Sequence, residues 1–378
     1  MTETASTAWD GHARALAELL AERGDIRSPE WRAAVAEVPR HVFVPIAYTQ
    51  NSRGEWEPWS TEGAWERVYA PTTLVTALAD RDGWREPISS TTNPELMVRM
   101  LEALDIRDGH RVLEIGTGTG YNAGLLSHRL GDHNVASVDI GSEFVTAARD
   151  RLAGIGYHPT LKTVDGESGL PGHAPYDRII ATCSVPAVPW AWAEQVTPDG
   201  SILVDVRPSI AAGNLVLLQR RGDRLVGRFS ARRGSFMAMR HATDAAPGNS
   251  PAETLDPGGH RRTDAPLTPW DSTPVVWFLA QFAGLPRDVV CGWELDSDTR
   301  ARTASTLTSP DGSSVRVDLA EHTVSGTLAL WAPVEQAYRE WIEAGQPGWD
   351  RLGMTVTASR QQVWLDSPDS AWSWELPV

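Results

Sequence analysis

Three glycines at alternate positions, Gly116, Gly118 and Gly120, follow the apolar run Val112-Leu113-Glu114-Ile115 and lead through Tyr121 into a helical stretch, Asn122 to Arg129. A buried parallel strand ending in a glycine turn brings backbone amides and a helix N-terminus against a ligand, and only residues without a Cβ let it come that close. The spacing is G-x-G-x-G, distinct from the G-x-G-x-x-G of dinucleotide sites. The next apolar run, Asn134 to Ile140, carries Asp139, 21 residues beyond Gly118. An acid at that distance accepts both hydrogens of a ribose diol. A glycine turn alone also serves as a tight strand-to-helix connection; the acid tips the balance to a ligand.

Two more places offer chemistry. The run Thr160 to Val164 ends in Asp165-Gly166, where the carboxyl ends of parallel strands meet ligands, so the carboxylate is placed to accept from an adenine amino group; a plain turn role fits the spacing equally well. Upstream, Ser89-Ser90-Thr91-Thr92-Asn93-Pro94 sets several hydroxyls before a helix opening at Pro94. Hydroxyls orient carboxylate oxygens without neutralising them, and they are also suited to capping that helix, Thr92 or Asn93 above all.

The elements that must position these groups read as an α/β fold. Amphipathic His12 to Arg23 and a second helix from Ser28-Pro29 to Val38 open the chain, followed by a long polar, tryptophan-rich loop from about residue 45 to 70. Leu96, Met97, Met100, Leu101 and Leu104 recur at helical spacing. Helix Phe144 to Gly154, strand Asp177 to Thr182, helix Trp190 to Val196, strand Ser201 to Val206 and the pair Asn214 to Gln219 with Arg224 to Phe229 complete a doubly wound sheet of about seven strands. The arginines from Arg220 to Arg233 read as a solvated strand pair near a sheet edge. The resulting division is an N-terminal helical and loop segment, 1–85; a ligand-binding α/β domain, 86–243; a linker, 244–258, around Ala245-Ala246-Pro247-Gly248; and a C-terminal α+β accessory domain, 259–378, either substrate-binding or structural support.

Composition excludes several classes. A net charge of -15 over 378 residues argues against a nucleic-acid substrate. No apolar run approaches the length of a membrane span, and Met1 to Asp10 lacks the basic and apolar regions of a secretory signal, so a cytoplasmic location is expected. Cys183 and Cys291 lie far apart, which speaks against a disulfide framework or a cysteine-based metal site. The 17 tryptophans are expected chiefly in packing.

Pro39-Arg40-His41-Val42-Phe43-Val44-Pro45, the Val112-to-Tyr121 motif, Ser137-Val138-Asp139-Ile140, Asp165-Gly166 and Pro175-Tyr176-Asp177-Arg178-Ile179-Ile180-Ala181-Thr182 together resemble protein-L-isoaspartate O-methyltransferases over roughly residues 30 to 240. The resemblance implies a Rossmann-like class I S-adenosyl-L-methionine-dependent methyltransferase. It places Gly116, Gly118 and Gly120 at the methionine end of that cofactor, Asp139 at its ribose, and Asp165 and Gly166 at its adenine. Glu114, Thr117, Ile140 and Thr182 belong to the same motifs. A carboxylate acceptor with a pKa of about 4 is ionised at neutral pH and needs alignment more than a base. Ser89, Ser90 and Thr92 are the residues expected to align it.

Two departures lie on the acceptor side. The family's T-I-S-x-P segment becomes Ser89-Ser90-Thr91-Thr92-Asn93-Pro94, and Tyr69-Ala70-Pro71 stands where the family has a Y-x-D stretch. The C-terminal 120 or so residues are also an extension that the repair enzyme is expected to lack. Trp31-Arg32-Ala33-Ala34-Val35, Ser89-Ser90, Gly120-Tyr121-Asn122-Ala123 and Gly353-Met354-Thr355-Val356-Thr357 are similar to the branch encoded beside ATP-grasp peptide ligases of graspetide systems, with a lanthipeptide-linked branch also similar. That resemblance implies an aspartate of a macrocyclised ribosomal precursor peptide as acceptor, an aspartimide as the eventual product, and a peptide ligase as partner.

Overall fold

The computed structural model describes residues 8–81, 83–241 and 259–376. The expected linker 244–258 lies outside the described residues. Among those described, no helix is long and apolar enough to cross a membrane.

Helices Ala8–Glu22 and Pro29–Glu37 form as expected. Ser28 occupies the cap position, but its hydroxyl donates to Glu102 at 2.9 Å instead of capping. The tryptophan-rich segment beyond these helices is not a loop. Strands β1 (Ile46–Gln50), β2 (Trp56–Ser60), β3 (Leu74–Arg81) and β4 (Trp84–Thr91) make an antiparallel sheet in the order β2-β1-β3-β4. The β1–β2 turn is closed by the Asn51 side-chain oxygen, which accepts from the amides of Arg53 and Glu55. Gly83, at φ +85°, turns β3 into β4. The boundary expected at residue 85 therefore falls inside a strand, and Ser89 and Ser90 stand on β4.

The main sheet runs through β5 (Val112–Ile115), β6 (Val135–Asp139), β7 (Thr160–Thr163), β8 (Tyr176–Val185), β9 (Val196–Ser209), β10 (Ala212–Arg221) and β11 (Arg224–Phe229). These are the seven strands expected, parallel from β5 to β9 and antiparallel beyond. Alternate residues face opposite sides, as strand geometry requires. Ile179, Ala181, Ile202 and Val204 enter one core, and Ile180 and Leu203 enter the other, beneath the N-terminal helices and the helix Pro94–Ala103.

The C-terminal segment is less separate than the sequence suggests. Strands β12 (His260–Arg262), β13 (Val290–Leu295), β14 (Arg302–Thr308), β15 (Ser314–Asp318) and β16 (Thr323–Gly326) form a sheet of their own. After the helix Leu328–Glu343 the chain returns as β17 (Leu352–Val356), β18 (Gln361–Leu365) and β19 (Ser373–Glu375). β17 pairs with β11, which makes a ten-stranded sheet. The seven-strand expectation is thus exceeded, because β11 leaves an unpaired edge that β17 satisfies. The arginines of β10 and β11 are accordingly not at an edge: Arg228 lies 5.1 Å from the Trp364 ring centre and donates to the Arg351 and Asp366 carbonyls.

Candidate active site

The turn after β5 is built by backbone conformation. Gly116, Gly118 and Gly120 hold φ of +97°, +51° and +90°, a region in which side chains are strained. Amides of Gly116 and Thr117 both donate to the Val138 carbonyl, at 2.8 and 3.0 Å, which ties the turn to the end of β6. Asp139 completes the tie: one carboxylate oxygen accepts from Gly118 N at 2.9 Å and the other from Gly141 N at 3.0 Å. Each oxygen keeps a second acceptor site.

Under the turn lies a buried polar chain. Ser137 donates to Glu114 at 2.6 Å and lies 2.7 Å from the Thr117 hydroxyl, while Asn122 donates to the other Glu114 oxygen at 2.8 Å. Burial raises the Glu114 carboxyl to about 7, against the lowering effect of those hydrogen bonds. Thr182 donates to the Gly116 carbonyl at 2.7 Å.

These groups line a cavity of about 410 Å³ with Ser89, Ser90, Thr92, Glu114, Gly116, Thr117, Gly118, Asp139, Ile140, Gly166 and Thr182 on its walls. That volume falls in the range of small-molecule sites. Two expected residues stand apart. Gly120 does not reach the cavity; a Cβ there would lie 2.9 Å from that of Ala148, so its role is close helix packing behind the turn. Asp165 is also off the lining: its carboxylate accepts from Glu167 N at 3.0 Å and pairs with His241 Nδ1 at 3.0 Å. Burial pushes the Cys183 thiol up to about 12, so it lines the cavity as a neutral group.

At the opposite wall, Asn93 alone caps the helix Pro94–Ala103, accepting from Glu95 N at 2.9 Å. The hydroxyls are thereby released from capping. Ser89 accepts from Thr76 at 3.2 Å, whereas the side chains of Ser90 and Thr92 meet no protein partner among the described residues. The two walls are close: a Cβ on Gly118 would lie 3.9 Å from both Ser89 Oγ and the Ser90 carbonyl.

Several lining residues escape sequence reasoning. Phe236, Met237, Ala238, Met239 and Arg240 cross the cavity mouth because Ser184 N donates to the Met237 carbonyl and Met239 N to the Ser184 carbonyl, both at 2.8 Å. Arg240 stands 5.3 Å from the Phe144 ring centre and 3.9 Å from Asp139. Arg207 and Ser235 also line the cavity. No local motif marks these positions; the pairing to the end of β8 brings the first group in.

A doubly wound sheet with a ligand cavity at the carboxyl ends of β5, β6 and β8, opened by a G-x-G-x-G turn, is the architecture of class I S-adenosyl-L-methionine-dependent methyltransferases. Residues 12–239 match the family described as protein-L-isoaspartate(D-aspartate) O-methyltransferase, and the chain belongs to that family. It is 34% identical over 209 residues to protein-L-isoaspartate O-methyltransferase 2 of Pelobacter propionicus, which covers 55% of this chain and 80% of that one. It is 34% identical over 194 residues to the enzyme of the same name from Methanopyrus kandleri, covering 50% and 75%. A solved protein-L-isoaspartate O-methyltransferase shares the fold at 21% identity and a TM-score of 0.54, over 96% of this chain and 98% of its own. The solved chain thus extends over the C-terminal segment as well, whereas the two curated relatives match about half of this chain while 75–80% of their own length is covered.

Proposed function

We propose that this protein carboxyl O-methyltransferase esterifies the free carboxylate of an isoaspartyl residue in a peptide or protein. The observation that carries the reading is the meeting, across one cavity, of a glycine turn braced by Asp139 with the free hydroxyls of Ser90 and Thr92. S-adenosyl-L-methionine is the methyl donor; when bound, it supplies a methyl on a sulfonium, which a carboxylate oxygen takes with release of S-adenosyl-L-homocysteine. The glycine turn from Gly116 to Gly118, the spare acceptor sites of Asp139 and the backbone at Gly166, all on the cavity wall, are the parts of this chain that would hold it. Ser90 and Thr92 orient the acceptor carboxylate by hydrogen bonds that leave its charge in place. No base is required, because the nucleophile is already ionised.

A second reading is favoured by the acceptor wall itself. The order Ser89-Ser90-Thr91-Thr92, at the end of β4 and just beyond it, and the Tyr69-Ala70-Pro71 segment depart from the family pattern on the side that meets the acceptor. Under that reading the acceptor is an aspartate side chain in a macrocyclised ribosomal precursor peptide, delivered by a peptide ligase, and the ester collapses to an aspartimide.

Mass spectrometry of three peptides incubated with the enzyme and S-adenosyl-L-methionine tests both. Methylation of an isoaspartyl peptide alone supports the first reading. A methyl gain on the macrocyclised peptide alone, giving way to net loss of one water, replaces it with the second. Methylation of none, the linear precursor included, refutes both.

A further inference from the structure

One cation faces the acceptor end of the cavity. Asp205 and Arg207 are two residues apart on β9, so their side chains leave the same face. They lie near the carboxyl end of the strand, where ligands gather. Asp205 is fully buried, and one of its oxygens accepts from Arg207 Nη2 at 2.7 Å and from Phe236 N at 2.9 Å. The other oxygen is buried without a partner. Burial pushes the Asp205 carboxyl up, and Arg207 opposes the shift. Nη2 of Arg207 also donates to Ser235 Oγ at 2.5 Å. These contacts use one nitrogen of the guanidinium. Nε and Nη1 meet no acceptor among the described residues, although the side chain lines the cavity and is only 17% exposed.

The position of this group is fixed by its neighbours. Gly234, next to Ser235, packs its α-carbon against Leu215 and Leu96, and Leu96 lies in the first turn after Thr92. Arg207 and Ser235 therefore border the hydroxyl wall. The other cation on the cavity, Arg240, belongs to the opposite end, beside Asp139 and Phe144.

With Nη2 engaged, Nε and Nη1 point to opposite sides of the guanidinium, so one of them can give a carboxylate oxygen a single charge-assisted hydrogen bond. An isolated arginine would also hold the anion too firmly, because methylation removes the acceptor's charge and an interaction made only with the anion raises the barrier. Asp205 removes that difficulty by making the protein side of the contact an ion pair of zero net charge, which directs the carboxylate without trapping it. We propose that Arg207 anchors the acceptor, taking one oxygen of the carboxylate to be methylated while Ser90 and Thr92 align the other. This rests on the peptide-carboxylate reading above. It also gives the product a way out, since an ester carbonyl is a weaker acceptor than the carboxylate it replaces.

The test uses the full-length enzyme, the peptide that wild type methylates in the three-peptide assay, and that peptide with the reactive carboxylate converted to a carboxamide, as a competitive inhibitor. Wild type should hold the carboxylate peptide about tenfold or more tightly than the carboxamide. Arg207→Gln should raise the peptide KM by about the same factor and abolish the discrimination, with S-adenosyl-L-homocysteine affinity changed less than about twofold. Arg207→Lys, which keeps a charged donor on a differently shaped side chain, should recover part of the KM and part of the discrimination. Thermal melting of both variants establishes that they are folded. An unchanged KM and undiminished discrimination in Arg207→Gln overturn the proposal while leaving the reaction class intact. Loss of S-adenosyl-L-homocysteine affinity also overturns it and moves Arg207 to the donor's carboxylate. A wild-type enzyme that methylates none of the peptides removes both this proposal and its parent reading.

Discussion

Glu114 concentrates the electrostatic tension of the site in one residue. It lies in a fully buried strand, and its carboxyl is raised from 4.5 to about 7 because burial disfavours the charged form. In the unfolded chain it releases its proton near its ordinary value, while the folded protein keeps that proton to about pH 7. Stability from this group is therefore fully present below about pH 4.5 and is lost as pH rises through about 7, by on the order of 3 kcal/mol. Glu114→Gln should remove the dependence. Its amide nitrogen can face Ser137, whose hydroxyl then turns toward Thr117, and its oxygen can still accept from Asn122. Urea unfolding at pH values from about 4.5 to 8 should show wild type losing on the order of 3 kcal/mol more than the variant. Parallel curves would mean that Glu114 keeps an ordinary pKa and that the polar chain under the glycine turn compensates it fully.

Arg40 acts at the scale of elements. It is entirely buried, and burial lowers its pKa to about 10, so it remains charged at neutral pH. Its Nη1 donates to the carbonyls of Val68 and Ala70 at 2.5 and 3.0 Å, and Nη2 to those of Thr72 and Thr92 at 2.8 and 3.3 Å. One side chain thus joins the segment entering β3 to the residue leaving β4, and so sets where Ser90 and Thr92 stand. Arg40→Met would leave four carbonyls without this donor and should cost about 3–5 kcal/mol in chemical denaturation, with Arg40→Lys in between. A loss below about 1 kcal/mol would show that β3 and β4 are held by their own pairing. The same region explains what the sequence could and could not tell. The turn from Gly116 to Gly118 and the acid Asp139 are legible because they depend on local backbone conformation and on strands buried on both faces, which leave continuous apolar runs. β1 and β2 bury almost nothing on either face, so no alternation marks them, and Pro58 further disguises β2. Arg207, Ser235 and the crossing segment Phe236 to Arg240 reach the cavity only through strand pairing far from the motifs. The Asp165 carboxylate shows the converse: the motif locates the turn, but His241, 76 residues on, takes up the side chain.

The whole molecule is one cooperative body if the ten-stranded sheet governs its stability. Residues Leu225 to Arg228 of β11 pair with Gly353 to Val356 of β17. Trp277, fully buried in the C-terminal segment, donates its ring N–H to the Ile210 carbonyl at 2.8 Å, between β9 and β10. Trp349 lies 5.5 Å from Phe229, ring centre to ring centre. A single core joins Leu113 and Ile115, on the strand that carries the glycine turn, to Trp277, Trp331, Met354 and Val363. Removing residues 244–378 would open the β11 edge and strip that core of its large side chains, each costing about 3–5 kcal/mol when a tryptophan or phenylalanine is lost, against a typical total stability of about 5–15 kcal/mol. The truncated chain should therefore fail to fold, giving insoluble or dye-binding protein, whereas the full chain should melt in one transition with calorimetric and van't Hoff enthalpies in agreement. Supplying residues 259–378 as a separate chain during expression should restore soluble protein by re-pairing β17 with β11. A truncated chain that folds alone, binds S-adenosyl-L-homocysteine and melts cooperatively would instead make β17 to β19 an addition to a self-sufficient domain. The route by which Arg207 and the glycine turn share one cavity would then lie entirely within the first 243 residues.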